Sequence, residues 1–291
     1  MMTLDRRLLP DTIQRAIETS LGSLTSVEPR GGMSGDSVWR LRGDGQLAIL
    51  KRSGSGVETY VYTELAGRLR AAGIGLPDLY ASAERDGTYW LLLENIPQPV
   101  STDHLLTAPS IMKLLRRVHG IETTLPLPDD RYRPAWPNEM TRQALTLLSP
   151  EDPTAVAALL EDVRARCLPL FAPTALIAGD PNITNWGLRD DGSVVLFDWE
   201  RITLGNPAID LAILVPGFGD RDVYRRLAAS YLSGSSEVAT ETLARQIADA
   251  KVWSVVEFLA ACARGEIVPT FDLDALLSVI PAWLRLVDGG A

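Results

Sequence analysis

The sequence predicts an α+β fold in which a small antiparallel β-sheet with one long helix precedes a mainly helical part. Strand-like runs separated by Gly-rich turns dominate the first part of the chain, and helical periodicity dominates the rest. Between them, the run "NIPQP" at residues 95–99 has the Pro-rich character of a hinge. We therefore place two domains, at residues 1–96 and 97–291.

The first domain is predicted to begin with a helix over Asp11–Leu21, which Asp11 caps and whose apolar residues recur at helical spacing. A second helix is predicted from about Glu58 to Ala72, ending near Gly73. Strands are predicted on both sides of a Gly-rich turn in "VEPRGGMSGDSVWRLR", and again in "QLAILKR" and "TYWLLLENI".

The second domain is predicted to contain five helices. Their patterns are "SIMKLLRRVHGI", "PTAVAALLEDVRARCLPLF", "VYRRLAASYL", "ETLARQIADAKVWSVVEFLAACARG" and "FDLDALLSVIPAWLRLV". Among them, residues 176–200 predict a loop and two short strands joined by a turn at "DDGS".

Composition excludes several classes of protein. The chain has 291 residues, 46% of them hydrophobic, and a formal charge of -9, which argues against a nucleic-acid partner. Cys167 and Cys262 lie far apart, so neither a disulfide framework nor a zinc site is expected. No apolar run suits a signal peptide or a membrane span, so we expect a cytoplasmic protein, a monomer or homodimer, with no membrane partner.

The negative charge is concentrated in the second domain. Residues 1–96 carry 11 Lys/Arg and 12 Asp/Glu, whereas residues 97–291 carry 17 and 25. A ligand site there would favour a cation, although the same charge also suits a solvated acidic surface.

Three oxygen-bearing side chains lie close together in the segment "LIAGDPNITNWGLRDDGSVVLFDWE". Asp180 and Asn185 share one loop, and Asp198 follows the second predicted strand. Phosphoryl transfer needs a carboxylate to orient the attacking hydroxyl and oxygen ligands to hold Mg²⁺. The segment therefore suits that chemistry, with Asp180 facing the hydroxyl and the other two residues holding the metal.

Three motif blocks in this region resemble the aminoglycoside phosphotransferase and choline kinase superfamily, which has a protein-kinase-like bilobal fold. The family carries H-G-D-x-x-x-x-N, then I/F-D-W/F-E, then G-x-P-x-x-D-L-A. This chain reads "AGDPNITN" over residues 178–185, "FDWE" over 197–200 and "GNPAIDLA" over 205–212. Residues 1–96 would then be the nucleotide-binding N-lobe, and residues 97–291 the C-lobe with the catalytic loop and the acceptor site.

The resemblance implies a role for each matching residue. Lys51 would contact the nucleotide phosphates, paired with Glu58 or, failing that, with Glu64 on the same helix. Asp210 would support the catalytic loop. The catalytic residue would be Asp180, and the metal ligands Asn185 and Asp198.

The remaining nucleotide contacts are expected from backbone. The Gly-rich turn "RGGMSGDS" would cover the phosphates, since glycine lets backbone N–H groups approach phosphate oxygens. The adenine edge would meet the backbone at Glu94 and Ile96. The turn residues predicted to contribute are Gly32, Ser34 and Gly35.

The chain departs from the family pattern at one position. Ala178 stands where the family has a histidine that braces the catalytic loop. Neither histidine of this chain is adjacent: His104 lies elsewhere, and His119 lies in a helical context typical of a structural histidine.

The resemblance implies a kinase that uses ATP (or GTP) and Mg²⁺ to phosphorylate a small-molecule hydroxyl. The acidic second domain favours a cationic acceptor, such as an aminoglycoside or an amino alcohol, while a sugar, homoserine or a macrolide stays open. Ala178 keeps a non-catalytic nucleotide-binding module as an alternative, and metal-dependent hydrolysis lacks a histidine cluster to support it. Candidate acids for binding a cation are Glu257, Glu266, Asp272 and Asp274.

Overall fold

A computed structural model describes residues 4–30, 37–101, 106, 108–148, 152–269 and 271–288. These residues divide into two compact units. The first comprises residues 1–100, 128–131 and 185–201, and the second comprises residues 101–127, 132–184 and 202–291. The division of function between residues 1–96 and 97–291 stays a prediction.

The first unit is built on a five-stranded antiparallel sheet of strand order β1-β2-β3-β5-β4. The predicted strands are confirmed, and β4 is a strand that the sequence reading did not anticipate. Its strands are β1 (Leu24–Arg30), β2 (Ser37–Gly43), β3 (Gln46–Ser53), β4 (Leu79–Arg85) and β5 (Thr88–Glu94).

Helix α1 (Asp11–Leu21) is confirmed at its predicted bounds, but the predicted cap was wrong, because Pro10 is the N-cap and Asp11 is the first helical residue. Its buried face packs with Trp39, Leu50 and Trp90 of the sheet into one apolar cluster. Because residues alternate between the two faces of a strand, Lys51 lies on the face opposite to Leu50. The fully apolar middle of β5 is buried throughout, in agreement with its central position.

The helix predicted from Glu58 to Ala72 is present but is not uniform. It consists of α2 (Val57–Tyr60), a π-helical turn (Val61–Leu65) and α3 (Ala66–Ala71). A π turn widens the helix by one residue, and single turns of this kind are often found near functional sites. The apolar pattern carried no sign of it, since its residues would suit an ordinary helix equally well.

A second, three-stranded sheet completes the first unit. Strand β6 (Gln98–Pro99) pairs with β8 (Trp186–Leu188), which pairs with β9 (Val194–Leu196). The Pro-rich run after β5 therefore supplies an edge strand, a position that tolerates proline. The hairpin predicted around "DDGS" is confirmed as β8 and β9.

The second unit is mainly helical, and its five predicted helices are confirmed. Among the described residues, the helices over Asn138–Leu147 and Pro207–Leu214 and the strand pair of Ala175–Ile177 with Thr203–Gly205 were not predicted. None of the described helices is long and apolar enough to cross a membrane. The elements are α4 (Pro109–His119), α5 (Asn138–Leu147), α6 (Pro153–Cys167), β7 (Ala175–Ile177), β10 (Thr203–Gly205), α7 (Pro207–Leu214), α8 (Arg221–Leu232), α9 (Glu237–Ala263) and α10 (Leu273–Asp288).

Candidate active site

A buried lysine of the first unit is surrounded by acidic side chains. Lys51 Nζ lies 2.7 Å from Glu58 Oε2 and 2.5 Å from Asp198 Oδ1. The ion pair with Glu58 that the resemblance implied is therefore present, and the alternative partner Glu64 lies on the exposed side of its helix. Glu200 Oε2 lies 3.7 Å away, a contact that sequence reasoning did not anticipate.

The surrounding carboxylates keep Lys51 charged. Burial pulls the Lys51 pKa down, but Glu58, Asp198 and Glu200 outweigh burial and hold that pKa above its ordinary value. Burial also raises the pKa of the Glu58 carboxyl, and the Lys51 ammonium opposes that rise. The Trp199 backbone N–H donates to Glu58 Oε1 at 3.3 Å, so the segment that carries Asp198 is tied to the same acid.

The hairpin β8–β9 brings the two predicted metal ligands together within the first unit. Trp186 is paired with Leu196, and the next pair along is closed by a 3.0 Å hydrogen bond from Phe197 N–H to the Asn185 carbonyl. Asn185 therefore lies beside the residue that precedes Asp198. Trp186 of the hairpin is fully buried, so its packing stabilises the hairpin.

Asp198 has a backbone conformation that is uncommon for a residue with a side chain. Its φ is 65°, in the left-handed region, where Asp is tolerated better than most residues. Such conformations cluster at functional sites. Its side chain remains 32% exposed, so a ligand from solvent can reach the carboxylate.

The donor set of Asn185 and Asp198 fits Mg²⁺. Mg²⁺ prefers oxygen ligands and usually takes one or two protein groups, with phosphates and waters completing its shell. Within the described residues no group of three or more His, Cys, Asp or Glu side chains is arranged to hold a metal ion without such help. A metal shared with a nucleotide is thus the type that these two residues suit.

The predicted adenine contacts lie at the end of β5. The side chain of Glu94 is occupied by Arg189, which donates to both carboxylate oxygens at 2.8 and 2.7 Å. Burial favours the neutral carboxyl, but Arg189 and the Asp78 N–H outweigh it and lower the Glu94 pKa. Ile96 packs on Gly187, where an added Cβ would come within 2.4 Å of Ile96 Cγ2. Gly32, Ser34 and Gly35 lie outside the described residues, as does His104.

The loop that carries Asp180 belongs to the second unit, where Asp210 organises it. Asp210 is fully buried in α7, and its two oxygens accept from the N–H groups of Ala178 at 2.8 Å and Gly179 at 2.9 Å. The supporting contact implied for Asp210 is therefore present. Gly179 has a φ of 81°, which a residue with a Cβ rarely adopts, and half-buried Asp180 follows directly.

A histidine that sequence reasoning treated as structural is joined to this loop. His119 Nε2 lies 3.0 Å from Asp210 Oδ2, and its Nδ1 lies 2.8 Å from the Tyr231 hydroxyl. No sequence signal connects these residues, because they come from three different helices. Only the motif match at Asp210 pointed to this part of the fold.

The four acids considered for a cationic ligand differ in their surroundings. Glu266 is engaged by Arg264, and Asp272 caps the first turn of α10 through Ala275 N–H at 3.0 Å. Asp272, Asp274 and Glu266 are exposed, whereas Glu257 is half-buried and accepts from the Tyr132 hydroxyl at 2.5 Å. Of the four, Glu257 is the most enclosed.

The fold and this set of residues define a phosphotransferase with a protein-kinase-like fold. The chain belongs to the phosphotransferase enzyme family, whose profile matches residues 26–245. No curated protein matches the chain in sequence.

Solved structures of phosphotransferases share the fold. An ethanolamine kinase of Plasmodium vivax is 13% identical, with 98% of this chain and 87% of that chain covered and a TM-score of 0.64. A spectinomycin phosphotransferase, solved with ADP and spectinomycin, is 10% identical, with coverages of 98% and 99% and a TM-score of 0.63. A choline kinase of Streptococcus pneumoniae is 18% identical, with coverages of 93% and 97% and a TM-score of 0.55.

Proposed function

We propose that the protein is an ATP- and Mg²⁺-dependent kinase that phosphorylates a hydroxyl group of a small molecule. The observation that carries the proposal is the position of Lys51 between Glu58 and Asp198, with Asn185 paired beside Asp198 in one hairpin. A buried cation in contact with a half-buried carboxylate, with Asn185 in the same hairpin, suits a phosphate group that shares a metal ion.

Each residue has a distinct part in the proposed reaction. Asp180 orients the acceptor hydroxyl and takes its proton as the oxygen attacks the γ-phosphorus and ADP departs. Lys51 neutralises phosphate charge, held in place by Glu58. Asn185 and Asp198 would hold Mg²⁺, which when bound supplies further charge neutralisation at the phosphates. The direct Lys51–Asp198 contact means that nucleotide and metal compete with an internal ion pair when they bind.

For the acceptor we propose a cationic molecule, an aminoglycoside or an amino alcohol. The excess of acids in residues 97–291 supports this proposal, and Glu257 is the residue we assign to an ammonium group because it is the most enclosed of the candidate acids. Proteins of the same fold include kinases named for ethanolamine and choline and a phosphotransferase solved with spectinomycin. Neutral acceptors are the alternative.

The test is ADP release across a panel of acceptors that contains aminoglycosides, choline, ethanolamine, sugars, homoserine and a macrolide. We expect turnover with a cationic acceptor. Asp180→Ala should lower turnover by about 10³-fold while it leaves MgATP binding nearly intact. Asp198→Ala should weaken MgATP binding itself.

Two results would contradict the proposal in different ways. Equal turnover in wild type and Asp180→Ala would remove the catalytic role of Asp180. MgATP binding without turnover on any acceptor would favour a non-catalytic nucleotide-binding module, for which Ala178 at the position of the motif histidine is the specific motive.

A further inference from the structure

Three side chains from three helices form a continuous hydrogen-bonded chain that ends at the catalytic loop. Tyr231 of α8 contacts His119 of α4, and His119 contacts Asp210 of α7. Asp210 then accepts from the loop that leads into Asp180. The His119 side chain is 3% exposed and that of Asp210 is fully buried, so water does not replace these contacts.

The chemistry of the groups fixes the direction of the hydrogen bond between His119 and Asp210. A carboxylate only accepts, so His119 Nε2 must carry a proton and donate to Asp210. The Tyr231 hydroxyl, which can donate or accept, lies within hydrogen-bond distance of the other ring nitrogen, Nδ1. Burial, together with nearby Asp210, raises the Tyr231 pKa to about 12, so the side chain stays a protonated hydroxyl.

Asp210 has little freedom to hold the loop in any other way. One of its oxygens accepts from Gly179 N–H, and the other is shared between Ala178 N–H and His119. A rotation of the carboxylate would break all three bonds. The imidazole therefore keeps Asp210 in the one orientation in which both loop amides are satisfied.

The tyrosine end of the chain is itself fastened. Arg116 of α4 donates to the backbone carbonyls of Ser230 and Tyr231 at 3.1 and 2.8 Å and to Ser233 Oγ at 3.0 Å. Ser233 ends helix α8 with a left-handed φ of 47°. The backbone that carries Tyr231 is thus tied to the same helix as His119, which fixes the distance across which the hydroxyl reaches the ring.

We propose that Tyr231 is a positioning residue for the Asp180 loop, acting through His119 and Asp210. Ala178 takes part in this network through its backbone N–H, which donates to Asp210. The predicted effect of Tyr231 on turnover rests on the proposed kinase function. The predicted effect of Tyr231 on the order of the loop is independent of that function.

The experiment compares two tyrosines of the same helix. Tyr231→Phe removes the hydroxyl that faces His119, whereas Tyr224→Phe removes a hydroxyl that donates to the Phe218 carbonyl, away from Asp210. We expect Tyr231→Phe to lower kcat about tenfold at an unchanged KM for MgATP, because small displacements of a catalytic group cost this much or more. Tyr224→Phe should lose stability without a selective loss of kcat.

Variants of His119, the next residue in the hydrogen-bonded chain, test the same proposal. His119→Ala should lower kcat further than Tyr231→Phe does. His119→Gln retains an amide N–H that can donate to Asp210, so it should recover part of the activity lost in His119→Ala. Two outcomes would overturn the role of His119 in this hydrogen-bonded chain. One is a kcat of His119→Gln no higher than that of His119→Ala, and the other is a kcat of His119→Ala equal to that of wild type.

Amide hydrogen exchange at Ala178 and Gly179 gives a readout that does not depend on turnover. Both amides should exchange faster in Tyr231→Phe than in Tyr224→Phe. If wild type turns over no acceptor, the kinase proposal fails and exchange alone decides: faster exchange supports the positioning role. Unchanged exchange, or equal exchange in the two tyrosine variants, overturns it.

Discussion

Lys51 and Lys251 are both about 7% exposed, yet their surroundings have opposite effects on their charge. Lys51 in the first unit is in contact with three carboxylates, and its pKa is raised. Lys251 in the second unit donates to the Val215 carbonyl at 2.6 Å, and burial lowers its pKa to about 8. Burial alone therefore penalises an ammonium group, and only matched carboxylates reverse that penalty.

The comparison shows two ways in which the protein accommodates a buried lysine. Buried carboxylates keep Lys51 charged, although burying these acids is itself unfavourable. Such arrangements are found at sites that bind charged ligands. Lys251 packs within helix α9 and closes one hydrogen bond to the end of α7. The same residue type thus supplies a permanent cation in one unit and an ordinary donor in the other.

Among substitutions of the two lysines and of the acids around Lys51, the largest effect is expected for Lys51→Met. The loss of the cation should lower kcat/KM for MgATP by about 10²-fold or more, since a preorganised donor at developing charge is removed. Stability should also fall by roughly 3 kcal/mol, because Glu58 is left buried without its partner. Steady-state kinetics with MgATP measure the first effect, with isothermal titration for MgATP affinity, and urea denaturation measures the second.

The same substitution at the other lysine is the matched control. Lys251→Met should leave MgATP binding and turnover unchanged. Lys51→Arg keeps a cation and should bind MgATP better than Lys51→Met. If Lys51→Met bound MgATP as wild type does, the assignment of Lys51 to the phosphates would be wrong.

The second prediction concerns pH and Lys251. Its pKa is about 8 in the folded protein and 10.5 ordinarily, so between these values the unfolded chain binds more protons than the folded one. Stability should therefore rise with pH across this window, by about 3 kcal/mol from this group, and the full penalty should be present below pH 8.

Urea denaturation of wild type and Lys251→Met at a series of pH values from 7 to 11 measures this effect. The difference between the two proteins cancels the titration of all other groups. The unfolding free energy of Lys251→Met minus that of wild type should be more positive at pH 7 than at pH 10.5. The lost hydrogen bond to Val215 lowers the stability of the variant equally at both pH values. Parallel curves would show that Lys251 is charged and compensated in the folded protein.

The smallest expected effect is that of Glu200→Gln. Glu200 lies 3.7 Å from Lys51 and its side chain is 23% exposed, so water and salt weaken the contact. MgATP affinity should change by no more than about threefold. A loss as large as that of Lys51→Met would make Glu200 a direct ligand, and binding measured with and without added salt distinguishes that from an indirect charge effect.

Much of the candidate site was predictable from the sequence because the matching residues are contiguous. Asp180, Asn185 and Asp198 fall within nineteen positions, and the hairpin between the last two is encoded by short apolar runs around "DDGS". The partner of Lys51 was chosen correctly from the pattern that opens the next helix. Residue spacing was sufficient to predict contacts between residues that lie in the same hairpin or in successive elements.

Other features had no local signal. Helices α5 and α7 have short apolar patterns, and the π turn at Val61–Leu65 has the composition of an ordinary helix. The contacts of Lys51 with Glu200 and of His119 with Asp210 join residues that lie far apart in the chain. Such contacts depend on how elements pack, which the spacing of residues along one element does not encode.

The sequence by itself determined the fold class, most of the helices and strands and the hairpin between Asn185 and Asp198, because these follow from periodicity and from turn residues within short segments. Only the tertiary structure decided which buried lysine has a raised pKa and that His119 and Tyr231 are joined to Asp210. The reason is physical: a pKa and a hydrogen-bond chain depend on the distances between groups from different elements, and folding alone sets those distances.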